Sequence, residues 1–81
     1  MDALTHTDLW GREAFSESGR RVGVIEAVGS GRDGIPRRVG VRAEGGGRAL
    51  TFFSLTGARL DGDRVILAAE PSLTVLPGGP I

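Results

Sequence analysis

The sequence predicts an all-β fold, a small barrel of about six short strands in a single domain. Three observations carry that expectation. Glycine is abundant, at 14 of 81 residues, and together with proline it falls between short apolar runs, the punctuation of a strand-and-turn chain. No segment sustains the 3.6-residue apolar period of an amphipathic helix. A chain of this length buries only about 60% of its unfolded surface, so closing the sheet, which removes its edges, is the favoured arrangement.

The elements follow in order. Residues 1–7 read as an N-terminal arm and residues 8–70 as the barrel. The first strand is LWGREAF, from Asp8 to Phe15, with Leu9, Trp10 and Phe15 as its apolar mass, and SESG (Ser16–Gly19) turns the chain. Arg20 to Val28 is a central strand with both faces apolar: strict alternation sets Val22, Val24, Glu26 and Val28 on one face and Gly23, Ile25 and Ala27 on the other. Gly23 permits a bend. After a loop at Gly29–Pro36 comes Arg37 to Glu44, with Val39, Val41 and Ala43 inward and Arg38, Gly40 and Arg42 toward water. Gly45–Gly47 turns into Ala49–Leu55. A Thr56–Gly57 break leads to a tight hairpin at Asp61–Gly62, and Arg64–Ala68 is the last barrel strand. Residues 71–81 form a Pro/Gly-rich tail. Its stretch Leu73–Leu76 is expected to be ordered as an extra edge strand, in this chain or in a neighbour. Alternation puts Phe52 and Phe53 on opposite faces, so one of them leaves the core, either under the tail or in a subunit contact. Phe52, Phe53, Leu73 and Val75 are therefore candidate dimer or tail contacts.

Composition excludes several classes. Cysteine is absent and there is one histidine, so neither a disulfide framework nor a four-ligand zinc site is available. All ten basic residues are arginine and balance ten acids, without the strong positive field of a general nucleic-acid binder. No run approaches the roughly 18 apolar residues of a membrane span, and no secretory signal is read. A cytoplasmic protein is expected.

The motifs that look like chemistry have simpler readings. GSGRDG (Gly29–Gly34) spells G-x-G-x-x-G, but a dinucleotide site needs a helix after it, and Ile35–Pro36 leads into a strand. His6 could be oriented by Asp8, yet Ser16, Ser18, Ser30, Ser54 and Ser72 all sit in turn or strand contexts. Asp61 and Asp63 flank a glycine without the rest of a calcium loop. No catalytic residue, cofactor or metal is expected. The candidate interaction surface is Arg38 and Arg42 on one strand face, Arg37 and Arg48 near its ends, and Trp10. The arginines bind carboxylates or phosphates or pair with cross-strand acids. Trp10 anchors an interface or plugs the core.

With the strands laid out, LWGREAFSESGRRVGVIEAV, then Val39–Ala43, then FFSLTGARLDGDRVIL resemble, in that order, the pattern of PRC-barrel domains, with Ser54 where many relatives have proline. That family includes a domain of the photosynthetic reaction-centre H subunit and one of a ribosome-maturation factor. The resemblance implies a barrel of about six strands used for docking or assembly, with no shared catalytic residues. The function expected is a non-enzymatic protein–protein interaction module, homodimeric. The alternatives are a ribosome- or RNA-associated factor and a peripheral subunit of a membrane protein complex.

Overall fold

The computed structural model describes residues 5–43, 45 and 47–75. Its first element is a single helical turn, α1 (His6–Leu9), where the sequence reading placed an arm and the start of a strand. The cause is local. Thr5 accepts the Asp8 N–H through its hydroxyl, and the Asp8 carboxylate accepts the Thr5 N–H at 3.0 Å, a reciprocal capping box. The turn delivers Leu9 into the core, fully buried.

Among the described residues seven strands follow: β1 (Glu13–Ser16), β2 (Arg21–Ser30), β3 (Pro36–Arg42), β4 (Leu50–Ser54), β5 (Arg59–Asp61), β6 (Arg64–Leu67) and β7 (Pro71–Val75). They form one sheet in the order β5-β6-β1-β2-β3-β4-β7. β1 to β4 are a meander, β1 pairs with β6 in parallel, and β7 pairs antiparallel with β4. The Asp61 and Arg64 pair closes the β5–β6 hairpin over Gly62–Asp63, one residue later than expected. Leu76 and the rest of the tail lie outside the described residues, as does Glu44.

The expected barrel of residues 8–70 is corrected here: the sheet is open. Its edge strands are β5 and β7, and no ladder joins them among the described residues. β5 has only three residues, Arg59, Leu60 and Asp61, all exposed. A strand that closed a barrel would bury alternate side chains; β5 buries none, so the closing seam is missing.

One apolar cluster holds the sheet together: Leu9, Ala14, Ile25, Val39, Val41, Phe53, Val65 and Leu67, with Val22, Val28, Leu55 and Ala58 packed against it. Each large member contributes about 1.5–3 kcal/mol on burial. The composition of this face departs from strict alternation because β2 is bulged. Its register with β1 shifts at Val22, and its register with β3 shifts at Glu26. An extra residue flips the faces that follow. Ile25 lies opposite Val41 and Val28 opposite Val39, so both serve the core, while Ala27 lies opposite Gly40 on the other face. Ala43, expected inward, is exposed and beyond the end of β3.

Gly23 is the tightest point of the sheet. Its φ is +155°, and a Cβ there would stand 2.2 Å from the Arg42 carbonyl oxygen. Only glycine lets β2 and β3 approach this closely. Gly23→Ala is expected to lower stability by roughly 2 kcal/mol or more through clash and strain, measured by urea denaturation. The adjacent pair Leu9 and Trp10 gives a sharper contrast. Leu9→Ala is expected to cost about 2–5 kcal/mol, and Trp10→Ala, at a side chain 60% exposed, within about 0.5 kcal/mol. Equal losses would contradict the placement of α1.

Candidate functional site

Two regions of the sheet carry the chemistry. The first is the face opposite the core. In β4, Phe53 is buried in the cluster and Phe52 is half-buried on the other side. The ladders make a row across four strands: Ala27 opposite Gly40, Gly40 opposite Phe52, and Phe52 opposite Leu73. A Cβ on Gly40 would be 3.0 Å from Cε2 and Cζ of Phe52 and 3.1 Å from the Ala27 Cβ. The Phe52 ring therefore lies over Gly40, and Gly40 is buried rather than turned to water. One step along, Leu50 pairs with Val75. The structure thus brings Phe52, Leu73 and Val75 to neighbouring ladder positions at the β7 edge, with Phe53 separated from them on the core face.

The second region is the end of the sheet where β2 passes into β3. The loop is self-contained: the Gly31 N–H donates to the Ile35 carbonyl, the Gly34 N–H to the Gly31 carbonyl and the Ile35 N–H to Asp33 Oδ1. β3 follows directly, so GSGRDG has no helix behind it and cannot cradle a pyrophosphate. Beside the loop, Ser30 Oγ is 2.9 Å from His6 Nε2. Sequence reasoning missed this pairing because 24 residues separate the two. The only readable sign was the T-x-x-D capping box, which starts the helical turn that carries His6.

The pair does not amount to an activated nucleophile. Such a site needs its base oriented by a third group. Asp8, the candidate from the sequence, is committed to the Thr5 N–H. Both His6 and Ser30 are exposed.

The arginines divide into two kinds. Arg42 is ion-paired with Glu26 across β2 and β3, and Arg37 with Asp33 at 2.8 Å. The side chains of Arg38 and Arg48 have no ion pair or hydrogen bond among the described residues. The four therefore do not act as one basic face. Arg38 and Arg37 sit together at the β2–β3 end, Arg42 is neutralised further along, and Arg48 lies in the β3–β4 turn at the opposite end. Trp10 is exposed beside Arg12, Glu13 and Asp63, and Leu9 takes the core position open to either. Elsewhere Arg64 stacks on Phe15 at 4.8 Å, and Arg21 and Arg59 pair with Glu13 and Glu17.

Among the described residues, no group of three or more His, Asp or Glu side chains is placed to hold a metal ion. No described helix is long and apolar enough to cross a membrane. Compared with known proteins, the chain matches no family model, and no curated protein is similar to it. With the open sheet, this overturns the resemblance to PRC-barrel domains. The short strands and turns that suggested it occur in many small β-sheets, and the closure that defines a barrel is absent.

The fold biases the protonation of Asp33. The Ile35 N–H above all holds its carboxyl below the usual aspartate range; desolvation opposes this, and the Arg37 guanidinium adds to the lowering. A depressed folded-state pKa stabilises the fold above the unfolded value and is lost as pH falls through the folded one. Below about pH 4, near the ordinary aspartate value, the wild type is expected to lose this contribution, whereas Asp33→Asn has none to lose. Thermal midpoints measured from about pH 3 to about pH 7 should therefore converge at the acid end. Parallel curves would show that Asp33 carries no linkage.

Proposed function

We propose that the chain is a non-enzymatic protein–protein interaction module of the cytoplasm that assembles as a homodimer through the β7 edge. One observation supports this above the rest: the two edges of the open sheet are not alike. β5 is three residues long, with a charge at each end, Arg59 and Asp61, the device by which natural sheets blunt an edge. β7 is five residues, Pro-Ser-Leu-Thr-Val, without any charge. Only Pro71, at its start, opposes further pairing. Two copies pairing antiparallel along β7 form an isologous contact about a twofold axis. The Ala27–Gly40–Phe52–Leu73 row then continues across the junction, extending an apolar surface that a thin core leaves outside.

RNA association has weaker support, because Arg37 and Arg42 are already paired with acids and the net charge is zero.

Sedimentation velocity tests the proposal. The wild type is expected at twice the chain mass. A Ser72→Lys/Thr74→Lys double variant places four like charges along the paired edges and is expected to be monomeric, with Arg59→Gln at the other edge unchanged. A wild type that stays monomeric at millimolar concentration would refute it.

A further inference from the structure

The loop between β2 and β3 contains a motif, GSGRDG, that the proposed assembly does not use, and beside it lies Arg38, which has no acid partner among the described residues. We propose that this end of the sheet is a binding subsite for the phosphate group of a small phosphomonoester, with Arg38 as its principal ligand and His6 as a positioning residue behind Ser30.

The argument begins with Arg38. Its strand neighbours Arg37 and Arg42 both have acid partners, and Arg38 has none among the described residues. Its stem is nonetheless directed. The ladder sets Gly29, Arg38 and Ser54 side by side, and a Cβ on Gly29 would stand 3.0 Å from Arg38 Cγ and 3.1 Å from Nε. The missing side chain lets Arg38 lie across β2 and carries its guanidinium toward the loop. There Ser30, Gly31, Arg37, Arg38 and Ser54 line a shallow cleft of about 360 Å³. Among the described residues no carboxylate lines it; the nearby Asp33 is turned to Arg37 and the Ile35 N–H.

The donors in the cleft select the ligand. The loop amides of Gly31, Gly34 and Ile35 are spent within the loop, so a backbone nest is not available. The Ser54 hydroxyl is held by Thr56 and serves as a wall. Three donors remain: the Arg38 fork, the N–H groups of Arg37 not engaged by Asp33, and the Ser30 hydroxyl. A carboxylate would satisfy the fork alone, whereas a phosphate group offers three peripheral oxygens. For Ser30 to donate to the anion, its oxygen must accept from His6 Nε2–H. Bound phosphate therefore selects the imidazole form that carries a proton on Nε2.

Nitrogen-15 NMR of the full chain, titrated with inorganic phosphate at constant ionic strength, tests this. Saturable shifts are expected at Ser30, Gly31 and Arg38 Nε, with acetate reaching Arg38 Nε more weakly and leaving Ser30 and Gly31 unshifted. Arg38→Gln is expected to weaken binding at least about tenfold, the scale of one charge-assisted contact, while Arg48→Gln leaves it unchanged. The His6 ring nitrogens should move toward the Nε2–H form as phosphate saturates. Spectra of both variants away from the substituted residue verify that the fold is intact. Shifts that rise linearly, that acetate reproduces, or that persist in Arg38→Gln would overturn the proposal. The Ser72→Lys/Thr74→Lys variant should bind phosphate like the wild type, so this site and the β7 assembly stand or fall separately.

Discussion

Everything in this sheet depends on the path of β2. It is the longest of the described strands and the central one of the sheet, paired with β1 and β3. It can serve both because Gly23 accepts contact with the Arg42 carbonyl that no side chain could tolerate, and because bulges at Val22 and Glu26 re-aim its side chains. Ile25 and Val28 then point to the same core although three residues apart. The faces of β3 and β4 follow from that register, including the choice of Phe53 for the core and Phe52 for the outside.

Most strand positions were legible in the sequence, since glycine and proline mark the turns between apolar runs. What was not legible is instructive. The apolar residues around Leu9 read as a strand because a single helical turn is too short to display a period; Thr5 and Asp8 were its only signature. The alternation in β2 misled because a bulge leaves no mark in a run of Val, Ile and Ala. Closure was inferred from chain size, yet it depends on whether a specific pair of edges meets, and Arg59 and Asp61 show why β5 is unsuited to do so. Of the site, the paired arginines were foreseeable as a class but not by partner. The His6–Ser30 contact depends on where α1 docks, which no local pattern encodes.

The charges show how a neutral composition is spent. Glu26, Asp33, Glu13 and Glu17 each take an arginine across strands or within a loop. Such exposed pairs add little stability, but they cancel field locally. Against that background Arg38, a strand guanidinium without an acid partner among the described residues, is conspicuous in a way that ten arginines in a sequence are not.

The parallel pairing of β1 with β6 sets the order in which the chain can fold. Ala14 faces Val65 and Ser16 faces Leu67, contacts that span roughly two thirds of the polypeptide. The meander from β1 to β4 is built from nearer neighbours and is expected to form before the β6 seam, which needs a long loop to close. During synthesis Leu9 and Ala14 emerge early but lack Val65 and Leu67 until nearly the whole described chain has left the ribosome. Through that interval the incipient core is open on the β1 side, which makes the nascent chain, rather than the finished fold, the state most exposed to aggregation.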